Sequence, residues 1–362
     1  MAPEGWSVGP VQDFLFLQRG FDLTQKNSVF GTIPVYSSSG IAYYHNQAKV
    51  KGPGIVTGRK GSVGPVYLVE EDFWPHDTTL WVKDFKGNDV KYIEYFLKYL
   101  RLERFDEASS VPTLNRNNVH GVKCVFPPLP EQKKIAQILS AWDKAITTTK
   151  QLLANRQQQK KALMQQLLTG KKRLLDKNGA RFRGEWKSQY LKKLLQISKG
   201  DQLNKDTLSK SGEYAVINGG IEPSGYTTEY NADANTITIS EGGNSCGFVG
   251  FQSARFWCGG HCYAVKNLKA DLDFTYQLLK FNQPKIMKLR VGSGLPNIQK
   301  KDLEALSVDC PLSQEEQQKI AAVLTNADQE ISVLQQKLKA LKQEKKALMQ
   351  QLLTGKRRVK PH

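Results

Sequence analysis

The 362 residues predict an α+β chain built of two pseudo-symmetric modules of mixed α/β structure, each followed by one long helix. Three observations carry this. The segment KKALMQQLLTGK at 160–171 recurs letter for letter at 345–356, an offset of 185 residues. The same offset matches Glu131, Gln132, Lys134, Ile135, Ala136, Leu139, Asp143 and Ile146 with Glu316, Gln317, Lys319, Ile320, Ala321, Leu324, Asp328 and Ile331. A heptad seam runs through each repeated segment, and the stretches before them alternate short β-like runs with Gly-rich turns.

The first module is expected over 1–129 and the second over 186–312, and they match only in outline. Trp6 corresponds to Trp186, GTIPVYSSSGI (31–41) to GEYAVINGGI (212–221), and IVTGRKGSVGPVYLV (55–69) to ITISEGGNSCGFVGF (237–251). VPTLNRNNVHGVKCVFPPL (111–129) corresponds to LPNIQKKDLEALSVDCPL (295–312). Strands are expected at 55–57, 66–69, 236–240 and 262–265, and helices at 90–103 and 274–289. One scaffold carrying two sets of side chains suits two readers of different targets.

The long helices are expected over 130–173 and 313–358, joined to the second module by a loop at 174–185 that contains Asn178-Gly179. Pro130 sits in the first turn of one, and Ser313-x-x-Glu316 opens the other as a capping box. Gly170 and Gly355 close them. The first seam steps through Ile135, Leu139, Trp142, Ile146, Thr149, Leu153, Arg156, Lys160, Leu163 and Leu167. The second steps through Ile320, Leu324, Ala327, Ile331, Leu334, Leu338, Leu341, Lys345, Leu348 and Leu352. Two such helices most simply pack on each other. Arg156, Lys160 and Lys345 interrupt the apolar line: either their stems snorkel, or they fix register or meet a partner.

With Lys+Arg 52 against Asp+Glu 34, the net charge of +18 points to a polyanionic partner, of which nucleic acid is the commonest. No run of about 18 apolar residues is present and the N-terminus lacks signal-peptide form, so no membrane is expected. Five scattered cysteines fit reduced thiols, and the expected location is the cytoplasm. No phosphate-binding Gly-x4-Gly-Lys loop, no Gly-x-Gly-x-x-Gly and no Asn/Asp-Pro-Pro-aromatic run occurs, so no catalytic site is expected in this chain. Cys258, His261 and Cys262, with Cys246 upstream, invite a zinc reading, but the first module has no counterpart and core thiols are preferred. His45, His76 and His120 read as ordinary surface or core histidines.

The order of module, PLPEQKKIA (128–136), LMQQLLTGK, module, PLSQEEQQKIA (311–321), LMQQLLTGK resembles the specificity (S) subunits of type I restriction–modification enzymes over nearly the whole chain. One departure is PLSQEEQ, two residues longer than PLPEQ, at the second junction. The resemblance implies that the modules are target-recognition domains and that the helices form an antiparallel coiled coil. It further implies that two modification (methyltransferase) subunits dock along that pair, that restriction (nuclease and translocase) subunits join them, and that adenine methylation is the outcome. This chain would hold no cofactor, and S-adenosylmethionine, ATP and Mg would belong to the partner subunits. The expected function is reading an asymmetric bipartite site in double-stranded DNA. The alternatives are an orphan specificity protein without a nuclease, or a recognition scaffold of an unrecognised DNA-processing enzyme.

Candidate DNA contacts are drawn from loops in which Gly turns let side chains approach the duplex. YSSSG at 36–40 supplies Tyr36 and Ser38; next come Tyr43, Tyr44 and Asn46; Lys49, Lys51, Arg59 and Lys60 are the basic candidates. The second module supplies Asn218, Tyr226, Thr227 and Tyr230, and Asn244 in a loop that is acidic where 57–62 is basic. Thr113, Asn115, Arg116, Asn297, Gln299 and Lys300 match the family's segment before each helix.

Overall fold

A computed structural model describes residues 2–106, 111–292, 294 and 296–360. The chain forms two units, one of Met1–Lys150 with Gln336–His362 and the other of Gln151–Gln335. Each long helix is thus shared, half to each unit.

Unit 1 contains β1 (Ser7–Pro10), β2 (Phe16–Arg19), β3 (Ile33–Ser37), β4 (Gly40–His45), β5 (Gly54–Gly58), β6 (Val66–Val69), β7 (Trp74–Pro75), β8 (Thr79–Asp84), α1 (Val90–Leu100), α2 (Arg116–His120), β9 (Lys123–Phe126) and the first part of α3 (Leu129–Leu167). An antiparallel sheet in the order β2-β8-β5-β6 carries α1 against it, and a smaller sheet, β4-β3-β7, joins β3 to β7 in parallel. The expected strands 55–57 and 66–69 are β5 and β6. The helix expected to reach 103 stops at Leu100, because Arg101 turns left-handed at φ 53° and Leu102–Phe105 continues as a tighter 3-10 turn. Leu17, Ile55 and Leu80 of the sheet, Ile93 and Leu97 of α1, and Ile135 and Leu139 of α3 form one buried core. Leu352 and Leu353, from the far end of the sequence, complete it. Each such side chain contributes roughly 2 kcal/mol of apolar burial.

Unit 2 repeats the plan with β10 (Trp186–Tyr190), α4 (Leu191–Leu194), β11 (Gln196–Lys199), β12 (Tyr214–Ile217), β13 (Gly225–Thr227), β14 (Thr236–Ser240), β15 (Val249–Gln252), β16 (Phe256–Cys258), β17 (Cys262–Lys266), α5 (Leu272–Lys288), α6 (Lys300–Glu304), β18 (Ser307–Pro311) and the first part of α7 (Gln314–Leu353). Its sheets run β11-β17-β14-β15 and β13-β12-β16, the same order as in unit 1. Helix α5 starts two residues before its expected position because Asp271 caps it, accepting from the Phe274 amide at 2.9 Å. Leu167 at the end of α3 and Leu168 just after it lie in this core as Leu352 and Leu353 of α7 lie in the other.

The repeated letters make the same joint in each unit. Glu131, 2% exposed, accepts from the Arg358 guanidinium at 2.8 Å and from Trp6 Nε1 at 3.1 Å. Glu316, fully buried, accepts from Arg173 at 2.5 and 2.7 Å. The neighbouring glutamines tie helix to module: Gln132 accepts from the Asp89 amide and donates to the Pro127 carbonyl, and Gln317 does so with Asp271 and Pro311. Gly170 and Gly355 both have positive φ, 68° and 71°, and lie under Trp186 and Trp6, so a side chain there would meet both backbone strain and an indole. Ser313 caps α7 through the Glu316 amide at 3.3 Å. The reciprocal half of the expected capping box is replaced, since the Glu316 carboxylate is engaged by Arg173.

The interrupted seam has a definite explanation in the lysines. Lys345 meets Asp143 at 2.6 Å in unit 1, Lys160 meets Asp328 at 2.5 Å in unit 2, and Arg156 reaches Glu330 at 3.2 Å. In unit 2 the partner number falls from 330 to 328 as the other rises from 156 to 160, which is the antiparallel direction. Tyr95 donates to Asp143 at 2.8 Å and Gln277 to Asp328 at 2.8 Å, so each ion pair is also bonded to a module helix.

Candidate nucleic-acid interface

In unit 1 three loops meet where β5 ends. Gly58 has no room for a Cβ, which would lie 1.7 Å from the Ser62 carbonyl oxygen, so the chain turns tightly there. The Arg59 and Lys60 amides donate to the Thr78 carbonyl at 2.9 and 3.1 Å. The Gly61 amide donates to Pro112, and the Leu114 amide to Arg59. Arg59, Lys60 and Thr113 are therefore brought together, with the buried Ser38 packed beneath Gly58 and Gly61. Despite its glycines, the loop is tied on both sides.

Arg59 Nε donates to the Asp77 carbonyl at 3.1 Å, and the Asp77 carboxylate pairs with Arg19 at 2.7 Å and faces His76 Nδ1 at 3.0 Å. Burial works to raise the Asp77 pKa, but the Arg19 hydrogen bond and the charges of His76, Arg19 and Arg59 outweigh it and hold the carboxyl below its ordinary range. Burial, with Arg19 nearby, lowers that of Arg59. Asn115 caps α2, accepting from the Asn117 amide, and Arg116 stacks over Phe16. Asp22, His76 and Asp77 bring ligand-type atoms within 4.8 Å of one another, but Asp77 is committed to Arg19 and Asp22 is exposed.

Unit 2 builds the same junction from different letters. The Glu241 amide donates to the His261 carbonyl at 2.9 Å, the Gly243 amide to Pro296 at 3.0 Å and the Ile298 amide to Glu241 at 2.8 Å. Glu241 stands where unit 1 has Arg59. Its carboxylate accepts from Lys199 at 2.6 Å and Tyr263 at 3.1 Å, with His261 Nδ1 at 3.7 Å. Asn218 braces the adjacent turn through the His261 amide at 3.0 Å, and shares a cavity of about 660 Å³ with Lys205, Lys210 and Tyr226. Asn244, Asn297, Gln299 and Lys300 are exposed around the junction, Gln299 donating to Asn297 at 3.1 Å and Lys300 near Glu304 at 3.6 Å.

The remaining candidates lie on the strands of the smaller sheets or in the loops that follow them. Tyr36 is half-buried against Tyr67 and Phe73. The Tyr43 hydroxyl is engaged by the Leu23 carbonyl, and Lys49 stacks 4.9 Å from the Trp74 ring, so both support the sheet. Tyr44, Asn46 and Lys51 are exposed. Tyr226 and Thr227 lie on β13, paired with Ala215 and Tyr214 of β12, and Tyr230 stacks on Tyr214 with Arg255 over it at 4.7 Å. Sequence reasoning missed Arg19, His76, Asp77, Lys199 and His261 as members of the junctions. An available signal was the pair Arg19-Gly20 and Lys199-Gly200, spaced as Trp6 and Trp186 are. The cysteines near Glu241 are buried thiol donors: Cys246 to the Glu241 carbonyl, Cys258 to Cys262 and Cys262 to Tyr263. Hydrogen bonding with Cys258 and burial push the Cys262 thiol up, away from a metal-binding thiolate.

The profile of the type I restriction modification DNA specificity domain matches residues 3–155 and 183–343. The chain belongs to this family. Within it, the chain is similar to the putative type I specificity subunit S.MpnORF638P of Mycoplasma pneumoniae, 36% identical over 157 residues, 42% of each chain. It is 34% identical to S.MgeORF438P of Mycoplasma genitalium over 41% of this chain and 39% of that one. The putative MjaX specificity subunit of Methanocaldococcus jannaschii is 27% identical over 82% of this chain and 75% of its own length. The chain thus spans about two fifths of the length of the two Mycoplasma relatives. In fold it is similar to the crystal structure of a type I S subunit from M. genitalium, with TM-score 0.72, 19% identity and 96% of both chains covered. A chain from a type I R-M system studied for complex assembly gives TM-score 0.58 at 17% identity, covering 98% of this chain and 99% of that one. Among the described residues no helix is long and apolar enough to cross a membrane.

Proposed function

We propose that this chain is the DNA-reading specificity subunit of a type I restriction–modification complex, non-catalytic in itself, and that its two units each read one half of an asymmetric bipartite duplex site. The observation that carries this is the family match in both halves together with one loop junction built twice, holding Arg59 in one unit and Glu241 in the other. Matching backbone stations that carry side chains of opposite charge give the two units different surfaces to present to the duplex, as two different half-sites require. The partners are two modification subunits, which bring S-adenosylmethionine and methylate adenine, and restriction subunits that use ATP and Mg, all acting in the cytoplasm. The test replaces about residues 186–310 with the equivalent part of a relative, assembles the chain with its modification subunits, and maps methylated sites on a random DNA library. One half-site is expected to change while the other is kept; a change in both at once overturns the reading of independent units.

A further inference from the structure

Arg19 and Lys199 occupy the same station in their units. Each is the last residue of its strand and is followed by a glycine whose amide bonds into the next strand: Gly20 to the Thr79 carbonyl at 3.1 Å, Gly200 to the Cys262 carbonyl at 2.9 Å. A Cβ on either glycine would lie 2.1 or 2.2 Å from a carbonyl oxygen of the facing turn, so only glycine lets the strand end approach it. Each cation then meets a carboxylate, Asp77 at 2.7 Å and Glu241 at 2.6 Å, and each carboxylate also faces an imidazole, His76 or His261.

The carboxylates come from different stations. Asp77 lies in the turn before β8, whereas Glu241 follows β14 where unit 1 places Arg59. The two units thus reach one arrangement of cation, carboxylate and imidazole by separate routes. In both, the anion is the more sheltered partner and the cation stands out: side-chain exposure is 25% for Asp77 and 12% for Glu241, against 58% for Arg19 and 52% for Lys199. An exposed ion pair contributes little stability. A cation held at a fixed place beside the loop junction is instead suited to an anion that arrives from solution.

We propose that Arg19 and Lys199 contact DNA-backbone phosphates, one in each unit, and that Asp77 and Glu241 are positioning residues that fix the two cations for that contact. This rests on the DNA-reading function proposed above. The phosphate is a group of the duplex, so the contact adds affinity without sequence preference, and it is lost with salt in proportion to the counterions released.

The full chain is titrated with a mixed-sequence DNA duplex over a range of KCl, and log affinity is plotted against log salt. Arg19→Ala and Lys199→Ala are each expected to flatten the slope by about 0.9, the effect of one phosphate contact. Arg19→Lys and Lys199→Arg keep it, and Lys339→Ala, an exposed lysine on α7, serves as the comparison. Asp77→Asn and Glu241→Gln make the protein one charge more positive, so bulk electrostatics alone predicts tighter binding. Positioning predicts weaker binding with the flattened slope of the alanine variants, and Glu241→Asp restoring part of it. Thermal melting of every variant separates these results from unfolding. Wild-type binding with unchanged slopes in Arg19→Ala and Lys199→Ala overturns this inference alone; a wild-type chain that shows no salt-dependent binding to duplex overturns the functional reading beneath it.

Discussion

Glu131 shows how much one repeated letter does. It is sheltered, yet takes hydrogen bonds from Arg358, Trp6 and the Val359 amide, joining parts of unit 1 that lie far apart in sequence. The carboxylate is sheltered but the Arg358 guanidinium is partly open to solvent, so Glu131→Gln, which weakens charge-assisted hydrogen bonds without stranding a buried charge, is expected to lower unit 1 stability by about 1.5 kcal/mol, read by urea unfolding. Burial works to raise the Glu131 pKa, but hydrogen bonds from Arg358, Trp6 and Val359 outweigh it and leave it depressed. A carboxyl with a depressed folded pKa contributes stability that is fully present above its unfolded value and is lost as pH falls through the folded one. The melting temperature of the wild type is therefore expected to fall more steeply below about pH 4.3 than that of Glu131→Gln. Parallel curves would show that this carboxylate does not govern acid sensitivity. The repeat marked Glu131 and Glu316 as matched positions, but their arginines stand 227 and 143 residues away and no periodicity links them.

At the scale of elements, the long helices were legible because a heptad seam, a proline or serine start and a glycine stop act locally. The strands at 66–69 and 236–240 were legible for the same reason. The end of α1 was not, since the apolar pattern runs past Arg101 while the backbone turns left-handed there. Nor were the partners of the seam lysines, which depend on how one helix meets the other. Lys160 and Asp328 form a partly sheltered pair, so Lys160→Ala is expected to cost about 1 kcal/mol, reduced by the solvent exposure of the aspartate. The reversal Lys160→Asp should cost more, and adding Asp328→Lys should recover most of the loss. A double variant no better than the single would mean that the pair does not set register. The loop junction was half legible: 57–62 and 111–116 were each candidates, but hydrogen bonding across Thr78 and Pro112 is what joins them.

For the whole molecule, the duplication was the plainest signal in the sequence, and the crosswise sharing of the helices the least. Residues 345–356 match 160–171 letter for letter, yet Leu352 and Leu353 belong to the core of unit 1 while Leu167 and Leu168 belong to that of unit 2. Sequence order assigns each helix to the module before it; the apolar faces divide each helix between two cores. Removing residues 345–362 is therefore expected to expose the core around Ile135, Leu139 and Tyr92 while sparing unit 2. Hydrogen exchange by mass spectrometry would then show loss of protection in residues 90–100 and 129–150, with 236–266 unchanged. Loss confined to the shortened helix would refute the assignment of its last turns to the first core.

The sharing also sets an order of events on the ribosome. Every residue of unit 2 lies within the continuous stretch Gln151–Gln335, whereas unit 1 needs Gln336–Val359 to close its core. The half synthesised first can therefore complete its core only after the half synthesised second has been made.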